Sequence, residues 1–237
     1  MSGLVIIPAY NEEATVAQVL HHLRSLLPAG VDVLVVNDCS RDQTAVQAAR
    51  AGVMVCSLPC NLGYAKALKT GLKYGLSRGY DWFAFMDADG QHRPEDMLRL
   101  IGHYESHSAD LVIGSRWLDK EIRADSGRRI GMIFFSWLTR KLTGEHLTDT
   151  TSGMKIMNRQ VAGALLAQNF GDFHSEVIVY LHDRGFKIAE SPIVVHERRA
   201  GTSMYSFKDA VIYPVKNLIL IGIFKLNSWA LKKVAQP

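Results

Sequence analysis

The sequence has few cysteines, a low content of charge and no long apolar run, and each shortage excludes a class of protein. Its 237 residues include three cysteines, an odd number that argues against a disulfide framework and favours reduced thiols. Charged residues make up 21% and hydrophobic residues 48% of the chain, which excludes a disordered protein. The longest apolar run, Leu218–Phe224, has seven residues, whereas a membrane-spanning helix needs roughly 20. The net charge of +4 is too small to indicate nucleic-acid binding, so no nucleic-acid partner is expected.

Short apolar runs rich in β-forming residues alternate with helical patterns along the first half of the chain. The runs predict strands at 3–8, 33–37, 53–57, 82–86 and 111–114, and the patterns between them predict helices at 14–27, 43–51, 64–77 and 95–107. This alternation indicates right-handed βαβ units and a Rossmann-like α/β fold, with an open, twisted, mostly parallel sheet and helices on both faces. The second half is less regular, with strands predicted at 154–157 and 187–195 and helices at 130–142, 160–168 and 175–184.

Polar residues follow five of these predicted strands, at the end of the sheet where this topology binds its ligands. The segments are 8–12, 37–42, 61–63, 87–92 and 114–116, and each contains side chains suited to binding a nucleotide. A solvated turn would explain any one of them. Because all five are expected at the same edge of the sheet, we predict a nucleotide site there.

A pair of carboxylates, Asp87 and Asp89, marks the end of the fourth predicted strand. Two like charges close together at the end of a buried strand are unfavourable unless a cation neutralises them. Hard oxygen ligands favour Mg²⁺ or Mn²⁺, and a diphosphate would complete the coordination. An aspartate-rich turn closed by Gly90 is the alternative interpretation. With the other strand ends in view we favour a metal site, to which Gln91 could add a carbonyl oxygen.

Four of these segments together carry a family resemblance. They are Pro8-Ala9-Tyr10-Asn11-Glu12, Asn37-Asp38-x-Ser40-x-Asp42-x-Thr44, Asn61-Leu62-Gly63 and Asp87-Ala88-Asp89-Gly90-Gln91. The set resembles the inverting family 2 glycosyltransferases of the GT-A fold. Within that family, Gln91, Gly114-Ser115-Arg116 and Ser152-Gly153 most resemble the polyprenyl-phosphate sugar synthase group, which includes the dolichol-phosphate mannosyltransferases. The similarity covers roughly residues 3–205, so we predict a GT-A domain over 1–205 and a C-terminal apolar and basic helical tail of the same domain over 206–237.

The resemblance implies a role for each matching residue. The donor would be a nucleotide-diphosphate sugar such as GDP-mannose or UDP-glucose, bound by Pro8, Tyr10, Glu12, Asp38 and Asp87. Mg²⁺ or Mn²⁺ would be bound by Asp87, Asp89 and Gln91, and the acceptor phosphate by Arg116, Arg128 and Arg198. The residues expected to be catalytic are Asp89, Arg116 and Asp149. Glu176 is a further carboxylate at a family-like position, although an acid at a helix start is equally usual.

The reaction that the resemblance implies is transfer of a hexose to a polyprenyl phosphate, dolichyl or undecaprenyl, with inversion and by metal-assisted direct displacement. Such a phosphate is already ionised at neutral pH, so alignment and charge neutralisation matter more than a general base. Two positions depart from the family pattern: Met132, where some relatives have a hydroxyl residue, and Met204, where a lysine is usual. They leave a second hypothesis open, a family 2 glycosyltransferase that uses a saccharide or protein acceptor in cell-envelope polysaccharide synthesis.

Basic residues cluster around the expected acceptor side. Between Arg116 and Lys141 there are seven Lys or Arg residues against three Asp or Glu residues. The apolar stretch 130–138 with its basic flanks is typical of a helix lying on an anionic membrane surface, and the stretch 211–226 is similar. Internal packing, or packing in a homo-oligomer, is the alternative. The N-terminus lacks the basic region and cleavage site of a signal peptide, so we expect a cytoplasmic protein, peripheral on the cytoplasmic face of the membrane.

Overall fold

The computed structural model describes residues 1–118, 126–168, 173–194 and 217–226, and for 126–132 it describes the backbone alone. The elements in chain order are β1 (Gly3–Ala9), α1 (Val16–Leu26), β2 (Val31–Asn37), α2 (Thr44–Arg50), β3 (Met54–Ser57), α3 (Tyr64–Arg78), β4 (Trp82–Phe85), α4 (Pro94–Ser106), β5 (Leu111–Ser115), α5 (Ser126–Thr143), β6 (Lys155–Asn158), α6 (Arg159–Leu166), α7 (Ser175–His182) and β7 (Ile188–Pro192). A further helix occupies 217–226. The predicted domain boundary between residues 205 and 206 lies outside the described ranges.

The seven strands form one sheet in the order β3-β2-β1-β4-β6-β5-β7. β6 is antiparallel to both of its neighbours, β4 and β5, and every other neighbouring pair in this sheet is parallel. The predicted α/β class with a mostly parallel sheet is confirmed. As a result, the carboxyl ends of six strands and the amino end of β6 meet at one edge, which we call the carboxyl edge.

Helices cover both faces of the sheet, which explains the long apolar runs of its central strands β1 and β4. Successive side chains of a strand point to opposite faces, and β1 follows this rule. Leu4 and Ile6 belong to the core formed with α3, α6 and α7, whereas Val5 and Ile7 belong to the core formed with α1, α2 and α4. All four side chains are fully buried, and each contributes roughly 1.5–3 kcal/mol of burial free energy. β1 is therefore a central strand shared by both cores.

Two glycines let α3 approach the sheet closely. A Cβ on Gly71 would lie 2.4 Å from Ile6 Cγ2, and a Cβ on Gly75 would lie 2.4 Å from Phe83 Cε1. Larger side chains at these positions would separate the helix from β1 and β4. Because α3 follows the parallel strand β3, its first residue, Tyr64, lies at the carboxyl edge.

The helix at 217–226 packs on α7. The rings of Phe224 and Tyr180 are 5.3 Å apart in a T-shaped arrangement, and Lys225 Nζ lies 2.6 Å from Asp183 Oδ1. This part of the predicted tail is thus attached to the same body as the sheet. No helix within the described ranges is both long enough and apolar enough to cross a bilayer.

Candidate functional site

The loops that follow β1 and β2 are hydrogen-bonded to each other at the carboxyl edge. The Asn11 backbone N–H donates to Ser40 Oγ at 3.0 Å, and the Arg41 N–H donates to Asn11 Oδ1 at 2.8 Å. The Glu12 N–H donates to Thr44 Oγ1 at 2.8 Å. Asn11 has a φ of 55°, in the left-handed region where asparagine is more common than most residues. The two loops therefore form one continuous wall, which carries the predicted nucleotide-sugar residues Tyr10 and Glu12 and adjoins Pro8 near the end of β1.

Asp38, which directly follows β2, holds the third loop in place. Its carboxylate accepts the backbone N–H of Leu62 at 2.7 Å and that of Gly63 at 2.8 Å. Gly63 has a φ of 89°, a backbone conformation that a glycine adopts without a steric penalty. The role of Asp38 in nucleoside binding stays a prediction, and the structure adds that this carboxylate shapes the loop before α3.

The two predicted metal ligands with carboxylate groups lie on the turn after β4. Tyr64 Oη donates to Asp87 Oδ1 at 3.1 Å, and His92 Nε2 lies 3.2 Å from Asp87 Oδ2. Asp89 is 6% exposed, and its Oδ1 accepts the Gln91 N–H at 3.0 Å. Burial on its own raises the pKa of Asp87, but the hydrogen bond and charge of His92, together with the hydrogen bond from Tyr64, outweigh it and lower the pKa. Asp87 is therefore an anion at neutral pH.

The residues of this turn fit a divalent cation that also binds a substrate. Asp87 and Asp89 offer hard oxygen atoms two residues apart. Among the described residues, no group of three or more His, Cys, Asp or Glu side chains is arranged to hold a metal. Mg²⁺ is commonly bound through one or two carboxylates, with waters and substrate phosphates as its other ligands. The donor set therefore suits a cation whose coordination is completed by a diphosphate rather than one enclosed by protein.

Gly153 leaves room for the Asp87 carboxylate. A Cβ at residue 153 would lie 2.5 Å from Asp87 Oδ2. We expect Gly153→Ala to displace this carboxylate and to weaken Mn²⁺-dependent nucleotide binding about 10-fold, the equivalent of roughly 1.4 kcal/mol. The measurement is a thermal-shift titration with a nucleoside diphosphate and increasing Mn²⁺. Gly163→Ala is the matched control, because nothing lies within 4 Å of a Cβ at that position of α6. An unchanged Mn²⁺ dependence in Gly153→Ala would contradict the placement of Asp87 in the metal site.

Arg116 and Asp149 form an ion pair at the end of β5. Arg116 Nε and Nη2 donate to the two Asp149 carboxylate oxygens at 2.6 and 2.9 Å, and Nη2 also donates to Thr151 Oγ1 at 3.0 Å. The side chain of Asp149 is completely buried, whereas that of Arg116 is 28% exposed. Burial on its own disfavours both charges. The hydrogen bonds and the opposite charge of the partner outweigh it, so the pKa of Arg116 is raised and that of Asp149 is lowered.

The hydrogen bonds to Asp149 and Thr151 use only some of the N–H donors of the Arg116 guanidinium. A guanidinium has five N–H donors, and Asp149 and Thr151 use those on Nε and Nη2. The two N–H groups of Nη1 have no hydrogen-bond partner among the residues that the structure describes. A guanidinium held in one plane by a carboxylate, with two donors remaining, is suited to binding a phosphate oxyanion.

A buried lysine that the sequence analysis missed lies at the same edge. Lys155 is the first residue of β6 and is 3% exposed, and its Nζ donates to the Ser152 carbonyl. Burial lowers the pKa of Lys155 to about 8, and the charges of Asp149, Glu176 and Asp87 act in the opposite direction. Lys155 therefore interacts electrostatically with both Asp87 and Asp149. The signal in the sequence is a lysine that directly precedes an apolar strand and directly follows the Ser152-Gly153-Met154 segment.

Two further buried polar residues begin α7. Glu176 is completely buried, and its carboxylate accepts the His174 N–H at 3.2 and 3.3 Å. Burial, together with the Lys155 cation, lowers the pKa of His174 to about 3, so this histidine is neutral at neutral pH. Glu176 thus binds the backbone N–H that precedes α7, in agreement with an acid at a helix start. Its negative charge also favours the charged form of Lys155.

The predicted site residues whose side chains the structure describes lie at the ends of strands, in the loops that follow them or in the segment before β6, and they share the carboxyl edge. From the predicted set they are Pro8, Tyr10, Glu12, Asp38, Asp87, Asp89, Gln91, Arg116 and Asp149. Arg128 and Met132 lie on the part of α5 where the backbone alone is described, and Arg198 and Met204 lie outside the described residues. The roles of Arg128 and Arg198 in binding an acceptor phosphate therefore stay predictions.

The sequence and the site geometry agree with a known protein family. Residues 4–166 match the model of glycosyl transferase family 2. The chain belongs to this family. The match runs from β1 to the last residue of α6 and so includes every predicted donor-side residue as well as Arg116 and Asp149. The family expected from the four sequence motifs is confirmed.

Individual proteins and a solved structure resemble this family 2 glycosyltransferase over most of their lengths. It is 35% identical over 218 residues to the undecaprenyl-phosphate mannosyltransferase of Micrococcus luteus, and the aligned region covers 87% of this chain and 88% of that protein. It is 30% identical over 242 residues to the polyprenol monophosphomannose synthase of Mycolicibacterium smegmatis, and the aligned region covers 97% of this chain and 87% of that protein. The crystal structure of glucosyl-3-phosphoglycerate synthase from Mycobacterium tuberculosis, in complex with Mn²⁺, UDP-glucose and phosphoglyceric acid, matches with a TM-score of 0.71 and 22% identity, covering 93% of this chain and 80% of that one. This last likeness confirms the GT-A fold.

Proposed function

We propose that this family 2 glycosyltransferase transfers a hexose from a nucleotide-diphosphate sugar to a polyprenyl phosphate, with inversion at the anomeric carbon. The observation that carries the proposal is the meeting of two kinds of group at one edge of the sheet. A carboxylate pair suited to a metal, Asp87 and Asp89, lies on one side, and an arginine with two remaining donors, Arg116, lies on the other. The two named relatives support the same class of acceptor, because their names contain undecaprenyl phosphate and polyprenol.

The donor side of the site would bind the nucleotide sugar. The nucleoside would lie against the wall formed by the first two loops, in contact with Pro8, Tyr10, Glu12 and Asp38. Mg²⁺ or Mn²⁺ would be held by Asp87, Asp89 and Gln91, and when bound it supplies Lewis-acid stabilisation of the departing nucleoside diphosphate. Lys155 is buried at the same edge and interacts electrostatically with Asp87, and such interactions are stronger in a buried setting than in solution.

The acceptor side would align the attacking phosphate. Asp149 fixes the plane of the Arg116 guanidinium, and the two Nη1 donors would bind two phosphate oxygens. Because the phosphate is already ionised, the protein needs to align and neutralise it rather than to remove a proton. A phosphate oxygen attacks the anomeric carbon while the bond from that carbon to the nucleoside diphosphate breaks, so the configuration inverts in one displacement.

Transfer of a labelled hexose into a lipid tests this proposal. The full-length protein would be incubated with undecaprenyl phosphate, Mn²⁺ and either GDP-mannose or UDP-glucose, and the product extracted into organic solvent. We expect label in the organic phase with one of the two donors and none without a divalent cation. The matching nucleoside diphosphate should also raise the melting temperature in the presence of Mn²⁺, because a ligand stabilises the folded state by mass action. Label found in a saccharide or a protein instead would overturn the polyprenyl phosphate acceptor and support the second hypothesis.

The proposed lipid acceptor is consistent with an apolar surface on two neighbouring helices. Exposed apolar side chains of α5 are Ile133, Phe134 and Trp137, and those of the 217–226 helix are Leu218, Ile219, Ile223 and Leu226. Lys225 joins the two helices, because its Nζ donates to the Leu142 carbonyl at the end of α5. Arg140 and Lys141 are exposed at the same end of α5. Exposed apolar residues beside basic ones are typical of a surface that lies on an anionic bilayer, so we propose peripheral binding at the cytoplasmic face of a membrane.

We expect the protein to float with liposomes that contain anionic lipid at low salt and to float poorly with neutral liposomes. Trp137→Glu replaces an exposed apolar side chain of α5 with a negative charge and should reduce the floated fraction at least about threefold. The reason is that binding to an anionic membrane depends on buried apolar area and on electrostatic attraction, and the substitution weakens both. Val46→Glu is the matched control, because Val46 is also exposed, at 43%, but lies on α2, which packs against α1, β2 and β3, whereas α5 packs against α7. Equal flotation of the two variants, or none by the unmodified protein, would contradict membrane binding through α5. A second copy of the chain on this surface would appear instead as a dimer in light scattering without liposomes.

A further inference from the structure

One carboxylate outside the predicted site holds the backbone next to Asp149. Glu190 lies on β7, where it is the neighbour of Ile113 on β5. Its carboxylate accepts the Thr148 N–H at 2.9 and 2.8 Å, the Asp149 N–H at 2.7 Å and the Thr148 hydroxyl at 2.9 Å. Two successive backbone N–H groups and a hydroxyl thus converge on a single side chain. We call residues 148–149 the corner.

The corner in turn positions the guanidinium proposed to bind the acceptor phosphate. Asp149 belongs to the corner, and its side chain accepts three hydrogen bonds from Arg116, one from the backbone N–H at 3.2 Å and two from the guanidinium. Two neutral hydroxyl groups also bind the corner. Ser115 Oγ lies 2.6 Å from Thr148 Oγ1, and Ser136 Oγ donates to the Thr148 carbonyl at 3.1 Å. The hydrogen bonds therefore form a chain from Glu190 through the corner and Asp149 to Arg116.

We propose that Glu190 is a positioning residue for sugar transfer, acting on Arg116 through Asp149. The inference rests on the proposed function, in which Arg116 binds the acceptor phosphate. A carboxylate can accept all of these hydrogen bonds because it has two oxygens and no N–H group of its own. Glutamine at the same place offers one oxygen and turns an NH₂ group toward backbone N–H donors, so the corner has to shift. A displacement of this kind moves the guanidinium away from the geometry that aligns the acceptor, and small misplacements of aligning groups are costly to a rate.

The experiment compares Glu190→Gln with a carboxylate variant at the far end of the same pair of strands. Asp110 accepts the Lys187 N–H at 2.8 Å and the Asn158 side-chain N–H at 2.7 Å, so Asp110→Asn removes a similar structural carboxylate away from Arg116. We expect Glu190→Gln to lower kcat for transfer to undecaprenyl phosphate roughly 10- to 100-fold and to raise the acceptor KM, with the Mn²⁺-dependent affinity for the nucleoside diphosphate unchanged. Asp110→Asn should leave kcat and both affinities within about twofold of those of the unmodified protein, whatever its effect on the melting temperature.

A double-variant cycle identifies the residue through which Glu190 acts. In an Arg116→Lys background the fork that Asp149 orients is absent, so adding Glu190→Gln should change kcat less than about threefold. The carboxylate-preserving Glu190→Asp should recover part of the activity lost in Glu190→Gln, and it serves in the cycle as well if the glutamine variant does not fold.

Three results would overturn the positioning role of Glu190 while leaving the proposed function intact. Glu190→Gln could show normal kinetics, or it could lower kcat as much in the Arg116→Lys background as in the unmodified protein. The third is a loss of kcat in Asp110→Asn equal to that in Glu190→Gln. An unmodified protein that does not transfer hexose to undecaprenyl phosphate would overturn the proposed function and this inference with it.

Discussion

Asp89→Ala is expected to reduce sugar transfer at least about 1,000-fold, the equivalent of roughly 4 kcal/mol in the activation barrier. Asp89 and Asp87 are the carboxylates of the turn after β4, and the described residues provide no cluster of three or more acidic, His or Cys ligands that could replace them. Asp89 belongs to neither hydrophobic core, so the protein should stay folded without its carboxylate. The measurements are the initial rate of transfer and the Mn²⁺-dependent thermal shift with nucleoside diphosphate, and both should be lost together.

Two further variants separate metal binding from a general effect of removing a carboxylate. Asp89→Asn keeps one oxygen ligand and the shape of the side chain, so part of its activity should return at high Mn²⁺. Asp32→Asn removes a carboxylate near the start of β2, where Asp32 accepts a hydrogen bond from the Tyr80 hydroxyl at 2.6 Å, and should leave transfer unchanged. If Asp89→Ala retained normal activity at low Mn²⁺, residue 89 would have no part in holding the metal.

The second large effect is expected at Arg116, in both activity and stability. Arg116→Met removes the proposed phosphate-binding group and should lower transfer by about 100-fold or more, in the range seen when a fixed charge-stabilising donor is removed. It also leaves the completely buried Asp149 carboxylate without its cation, and breaking a buried ion pair from one side costs about 3–5 kcal/mol. Urea unfolding and transfer assays measure the two effects on the same preparation.

The stability loss in Arg116→Met should depend on pH. In the unmodified protein the pKa of Asp149 is lower in the folded state than in the unfolded chain, where it is about 3.9, so ionisation of Asp149 stabilises the fold. This stabilisation is fully present above about pH 3.9 and is lost as the pH falls through the pKa that Asp149 has in the folded protein. Without Arg116, burial raises the pKa of Asp149 instead, so protonation at lower pH relieves the buried charge. The difference in unfolding free energy between the two proteins should therefore shrink from pH 7 to pH 5.

A double variant separates the contribution of the Arg116–Asp149 ion pair to stability from the contribution of Arg116 to sugar transfer. Arg116→Met with Asp149→Leu removes both charges, and apolar replacements of a buried ion pair are often neutral in stability. We expect the double variant to regain most of the stability lost in Arg116→Met and none of the transfer activity. Recovered activity in the double variant would show that Arg116 serves the fold rather than the acceptor.

The strands and the donor side of the site were predictable because their signals are local. Each of the seven strands overlaps a predicted one, and five of these predictions came from short apolar runs, which suit strands covered on both faces. The polar segments after β1, β2 and β4 follow directly in the sequence, and parallel strands bring such segments to one edge without further information. Asp87 and Asp89 were therefore expected close to the donor loops before any contact was known.

The residues that sequence reasoning missed depend on strand direction and on contacts distant in sequence. Lys155 reaches the carboxyl edge because β6 alone runs antiparallel in this sheet, and an apolar run does not indicate the direction of its strand. Glu190 acts on backbone groups about 40 residues away, in a segment whose sequence reads as an ordinary strand. His174 is separated from Lys155 in the sequence, so its lowered pKa follows from burial and neighbours that only the fold brings together.

The hydrogen bond from Ser136 to the corner connects the apolar surface of α5 with the proposed acceptor-binding arginine. Ser136 and Trp137 are consecutive residues, one bound to the Thr148 carbonyl and the other 53% exposed on the outer side of the helix. The separation between the exposed side chains of α5 and the Arg116 guanidinium is thus set by hydrogen-bonded groups, from Ser136 through Thr148 and Asp149 to Arg116. With α5 resting on a membrane, the enzyme would work at a fixed depth. It would then choose among lipids by how far the phosphate projects from the bilayer surface, independently of the length of the chain behind it.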